Sequence, residues 1–191
     1  MFKSIFKVSL IFTFILFISS CSSNDKYTIS KNRVGLVDSN TTVLEIDEIF
    51  KKDSIVKHLS EGVLGYKGSY SQADDYYLIY SKKGDHLLTL TPNEPLDSLS
   101  TIRYIEVHNG LYKTEAGIGL DSTFEEINLS EQITKVEATF TKVVLYLDLL
   151  NTTMTLDKMD LGINTIQTND VQLEQIPNLV KPKSFVVWFD N

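Results

Sequence analysis

From Tyr76 to the end of the chain, short runs of β-branched, aromatic and leucine residues alternate with turn-forming clusters, and few folds accept that rhythm. Tyr76–Ser81 and His86–Thr91 flank Lys82-Lys83-Gly84-Asp85, a hairpin joint. Ile102–His108 runs into Asn109-Gly110, a strong turn signal. Four more runs follow: Ile133–Phe140, Val143–Leu149, Thr152–Leu156 and Phe185–Phe189. Upstream, Tyr27–Val37 reads as one strand ending in Val34-Gly35-Leu36, and Ser54–Leu59 as another. The prolines, Pro92, Pro95, Pro177 and Pro182, all punctuate turns. The last run alternates poorly, so it is expected to be buried on both faces or to close a sheet, with Trp188 in the core.

Helix is confined to two short stretches. Thr42–Phe50 places Val43, Ile46, Ile49 and Phe50 on one helical face, with Thr41 or Thr42 as cap and Glu45 three residues after Thr42. Asp121-Ser122-Thr123 opens the second, Phe124-Glu125-Glu126-Ile127. The expected fold class is therefore α+β, mostly antiparallel β-sheet with two short helices. Val34-Gly35-Leu36 before the first helix matches Ile118-Gly119-Leu120 before the second. Glycine suits a point where the backbone turns sharply or approaches a neighbour closely. Residues 27–191 thus read as one domain with two related strand–helix–meander halves, 27–110 and 111–191.

The N-terminus has a different character. Lys3 and Lys7 precede the apolar run Val8–Ile18, and Ser19-Ser20 lead into Cys21. The run has the length of a signal-peptide core and is too short to span a bilayer. Ile18-Ser19-Ser20-Cys21 resembles the lipobox of bacterial lipoproteins. The resemblance implies that residues 1–20 are removed and that Cys21 carries lipid through its thiol, with residues 21–26 as a short tether. Ser22 implies delivery to the outer membrane in a host with two membranes. Cys21 is also the only cysteine, so the exported domain has no intramolecular disulfide to form. Two or more acyl chains give stable anchoring where one gives marginal binding.

The segment from Tyr112 to Ile127 resembles the joint between the halves of an α+β domain in a family of uncharacterised envelope lipoproteins, a resemblance extending over most of Ile29–Ile127. It implies a fold and brings no activity.

Two of the 18 basic residues and none of the 25 acidic ones lie in the leader, leaving 16 basic against 25 acidic residues and a formal charge of −9. Such a surface repels phosphate backbones and anionic head groups, which disfavours nucleic acid and leaves membrane contact to the lipid on Cys21.

Chemistry-bearing motifs are scarce. The chain has no HExxH run, calcium loop, nucleophile elbow or phosphate loop, and no cofactor or catalytic residue is assigned. His86 and His108 sit in strands of one meander and can approach each other, with Asp85 or Glu106 nearby. Half-buried or surface histidines are expected there rather than a metal site. The segment from Gly65 to Tyr77 holds Tyr66, Tyr70, Tyr76 and Tyr77 among Gly and Ser, the composition of a recognition loop. The expected function is a membrane-anchored envelope lipoprotein acting as a binding or assembly module for a protein or glycan partner. The alternatives are an envelope hydrolase using paired carboxylates and an immunity or inhibitor lipoprotein.

Overall fold

The computed structural model describes residues 25–60, 74–162 and 171–190. The stretch expected as one N-terminal strand is instead three: β1 (Thr28–Ser30), β2 (Arg33–Val34) and β3 (Val37–Asp38). The chain reverses twice within it because Asn32 and Gly35 take left-handed backbone angles, φ 57° and 59°. The strands β4 (Ser54–His58), β5 (Tyr76–Tyr80), β6 (His86–Pro92) and β7 (Ile102–Val107) form a meander. After β8 (Lys113–Thr114) come β9 (Lys135–Ala138), β10 (Lys142–Leu147), β11 (Thr152–Asp157) and β12 (Ser184–Trp188). Helix α1 is Ile46–Ile49, preceded by a 3-10 turn over Val43–Glu45, and α2 is Phe124–Ser130.

Eight strands make one antiparallel sheet in the order β4-β5-β6-β7-β12-β11-β10-β9. Two four-strand meanders therefore meet at their last strands, β7 against β12, with Ile105 opposite Val187 and Tyr104 opposite Trp188. The final strand lies at the centre of the sheet. A smaller sheet, β3-β2-β1-β8, joins the two halves through the parallel pair β1–β8, and the Tyr27 and Tyr112 rings meet edge to face at 5.2 Å beside it.

Strand alternation sends one face of the large sheet into the core. Ile79, Leu90, Ile105, Phe185, Met154 and Leu145 are all fully buried there. Ile46 of α1 and Phe50 at its C-terminal end, and Phe124 and Ile127 of α2, join the same cluster. Among the described residues, no helix is long and apolar enough to cross a membrane.

Both helical turns are docked in the same way. The first N–H groups of a helix have no partner within it. In the first half, the N–H groups of Val43 and Leu44 donate to the carbonyls of Ser100 and Ser98, just before β7. In the second, those of Phe124 and Glu125 donate to Val180 and Asn178, just before β12. The caps are related too. The Thr123 hydroxyl accepts from the Glu126 N–H at 3.3 Å while Glu126 accepts from the Thr123 N–H at 2.7 Å. At the first helix the Glu45 carboxylate takes both the N–H and the hydroxyl of Thr42, each at 2.8 Å.

Each of the two glycines precedes a helix in the chain, and each lacks room for a side chain. A Cβ on Gly35 would overlap the Lys26 carbonyl oxygen, and one on Gly119 would lie 2.7 Å from that of Tyr112.

Candidate binding surface

The same alternation that fills the core leaves a second set of residues on the opposite face of the large sheet. Cross-strand register sets them in rows. Tyr80 lies opposite His86, Thr89 opposite Glu106, Thr91 opposite Tyr104, and Tyr104 opposite Trp188. Beyond the centre, Val186 lies opposite Thr153, Thr153 opposite Tyr146, and Thr155 opposite Val144. This outer face is rich in rings and branched side chains, and most of them are half-buried.

On the first meander the rings are stacked. Tyr80 packs on His86 with centroids 4.7 Å apart, and His86 on His108 at 3.8 Å with planes only 16° apart. Both imidazole Nε2 atoms lie on the Thr89 hydroxyl, at 3.1 and 2.9 Å. A hydroxyl has one proton to give, so it donates to one neutral ring and accepts from the other. Glu106 lies 3.8 Å from His108 and accepts the Ser184 hydroxyl at 3.2 Å. Burial and the facing His86 hold His108 below the ordinary imidazole range, and Glu106 opposes them. The approach of the two histidines foreseen from the sequence is thus present, with Glu106 as the acidic neighbour. Asp85 is occupied elsewhere, accepting the Ser81 hydroxyl at 2.9 Å. Among the described residues, no group of three or more His, Cys, Asp or Glu is placed to hold a metal ion.

On the second meander the rings stand apart and enclose a hollow of about 470 Å³, lined by Val144, Tyr146, Thr153, Thr155, Val186 and Trp188. Asp148 and Asn151 stand at its end. Trp188 is the correction to the sequence reading: it is 40% exposed, because β12 buries Phe185 and Val187 on one face and turns Val186 and Trp188 to the other. Its indole N–H donates to the Thr153 hydroxyl at 3.1 Å, and its ring tilts against Tyr104 at 4.9 Å. The Tyr146 hydroxyl donates to Glu137 at 2.5 Å, a bond that raises the phenol's pKa; the carboxylate's is lowered by Lys135 first and by this bond second.

The tyrosine segment divides. Tyr66 and Tyr70 lie outside the described residues, as does Cys21. Tyr76 and Tyr77 do not belong to a loop: they open β5, Tyr77 buried in the core and Tyr76 on the outer face. Strand alternation separates them, since neighbours on a strand point to opposite faces. The described residues on either side of 61–73 are held by hydrogen bonds and an ion pair. Asp75, itself buried, accepts the N–H groups of Ser60 and Leu96 at 2.7 and 2.8 Å, and Asp74 pairs with Arg103 at 3.0 Å.

Sequence reasoning did not single out Thr89, Tyr146 or Tyr104 for this face. The alternating pattern in Val143–Leu147 was the available signal, but which of its two faces is solvated depends on what covers the sheet.

No protein-family model matches the chain, and no curated protein matches it. Among solved structures it is similar to the crystal structure of the uncharacterized protein yfeY from Escherichia coli. The TM-score is 0.53 and the sequence identity 11%, over 84% of this chain and 99% of that one. At that identity the likeness is one of fold.

Proposed function

We propose that this chain is a lipid-anchored envelope lipoprotein that acts as a binding module, and that it engages its partner with the outer face of the eight-stranded sheet. The observation that carries the second part is the outward aromatic set in which Trp188 is 40% exposed and Tyr104 and Tyr146 are half-buried. Large apolar side chains that are neither buried nor scattered singly mark interaction sites, and Trp and Tyr are the residues on which binding energy concentrates. The first part is supported by the leader and Cys21. The excess of acidic residues agrees with it, because attachment then falls to the lipid rather than to charge.

The test uses the full chain expressed in a bacterial host and followed by fractionation and pull-down. Cys21→Ala releases the protein from membranes or leaves its leader uncleaved. Trp188→Ala, with an unchanged circular dichroism spectrum, reduces capture of envelope material about tenfold, as expected for loss of a central aromatic anchor. A Cys21→Ala protein that stays membrane-bound at the wild-type mature mass overturns the anchoring. Undiminished capture by Trp188→Ala overturns the assignment of the outer face.

A further inference from the structure

We infer that the hollow on β10, β11 and β12 is a binding site for a neutral pyranose ring, the sugar unit of an uncharged oligosaccharide. This rests on the reading of the outer face as a binding surface and goes one step further, to the class of ligand. Three features of the hollow point the same way.

The first is how its two rings are held. The polar end of each is already bonded within the protein, Trp188 to Thr153 and Tyr146 to Glu137. The rings are therefore fixed in orientation before any ligand arrives, which lowers the entropic cost of binding. With their polar ends engaged, what the two rings add to the lining of the hollow is aromatic surface. A pyranose presents a face of C–H groups bearing slight positive charge, the complement of the negative aromatic face.

The second is the alternation of apolar and hydroxyl groups between the rings. Val144 and Val186 supply aliphatic contact, and Thr153 and Thr155 supply hydroxyls beside it. Asp148 adds a carboxylate and Asn151 an amide, and the Asn151 amide nitrogen also donates to the Trp188 carbonyl at 2.9 Å and to Asp190 at 2.7 Å. Sugar hydroxyls project sideways from the ring and need such partners at the edge. A purely apolar ligand would cover these groups without satisfying them, which is costly.

The third is charge. Among the described residues, no Lys, Arg or His lines the hollow, and its one ionisable carboxylate is Asp148. Lys135, whose Nζ lies 5.2 Å from the Tyr146 ring centroid, is already paired with Glu137, so a phosphate, a carboxylate or an acidic sugar would find no free counter-charge in a chain that carries an excess of acidic residues. The volume, about 470 Å³, lies within the range of small-ligand sites, roughly 300–1,000 Å³.

Trp188 is the only tryptophan of the chain, so its fluorescence reports on this hollow alone. The experiment titrates the full-length protein in detergent with the tetramer of N-acetylglucosamine, cellotetraose and maltotetraose, and with polygalacturonate as the anionic comparison. At least one neutral tetramer gives a saturable change in Trp188 emission. Thr155→Lys, which fills the hollow with a charged chain, weakens that binding about tenfold or more, in the range seen when a central contact is lost. Thr153→Val, a near-isosteric change that frees the indole N–H, weakens it less and guards against a folding defect in the lysine variant. No saturable response to any neutral tetramer, or an equal response to polygalacturonate, overturns the inference. If envelope capture still depends on Trp188 in that case, the sugar alone is removed and the binding surface stands. If capture does not depend on Trp188, the surface reading falls as well.

Discussion

The outer face is filled on the first meander and open on the second. On β5, β6 and β7, Tyr80, His86 and His108 lie ring on ring, and the Thr89 hydroxyl ties the two imidazoles together. On β10, β11 and β12 the outward row Val144, Thr155 and Ser184 carries no ring, and the rings that are present, Tyr146 and Trp188, are spread around a hollow. Strand order and helix docking are alike in the two halves. What differs is side-chain size at a few outward positions. A shared backbone arrangement can therefore carry a self-contained, ionisable stack on one side and a ligand-sized space on the other, since outward residues are free of the packing constraint that shapes the core.

The largest expected difference between the halves concerns their paired glycines. Gly35 combines a left-handed φ of 59° with a backbone oxygen where a Cβ would go, and Gly119 has the second problem alone. Gly35→Ala is expected to cost about 3 kcal/mol and Gly119→Ala about 2 kcal/mol, from steric overpacking with and without backbone strain. Urea unfolding of the two variants measures both. Equal losses would show that the close approach, rather than the turn, is what both positions require.

A smaller effect separates the two outer faces by pH. The folded-state pKa of His108 lies below its ordinary value. The unfolded chain therefore binds the proton more readily, so this contribution is present above the unfolded pKa of about 6.5 and is lost as pH falls from there through the lower folded-state pKa. The urea midpoint should drop between pH 7 and pH 5, and His108→Gln should flatten that drop. Tyr146→Phe on the other meander should leave the slope in this window unchanged, because the Glu137 that it meets is already ionised there. A wild-type midpoint constant from pH 7 to pH 5 would mean that the stacked imidazoles tolerate charge.

The smallest effect compares the caps. The Thr123 hydroxyl accepts a helix N–H, whereas the Thr42 hydroxyl only donates to Glu45. Thr123→Ala should cost about 1 kcal/mol, typical for loss of an N-cap, and Thr42→Ala a few tenths. Urea midpoints resolve the pair, and equal costs would show that the Thr42–Glu45 bond does the work of a full cap.

Much of the scaffold was legible in the chain because its signals are local. Turn chemistry at Lys82-Lys83-Gly84-Asp85, capping residues at Thr42 and Thr123, and period-two alternation each act within a few residues, and the strands and both helices lie where these signals put them. The approach of His86 and His108 was legible for the same reason, since one hairpin and its neighbour bring them together. The N-terminal strand was misjudged because Asn32 takes a left-handed angle that the pattern of apolar residues does not announce.

The sequence by itself determined the secondary structure beyond the N-terminal stretch, the repeated strand–helix–meander order and, through residues 1–20, the expectation attached to Cys21. Only the tertiary structure decided that the last strand lies at the sheet's centre, that Trp188 faces outward, and that Tyr77 is core while Tyr76 is surface. The physical reason is that alternation assigns residues to two faces but does not say which face is covered. That is settled by contacts between segments far apart in the chain, here β7 against β12 and the helices against one side of the sheet.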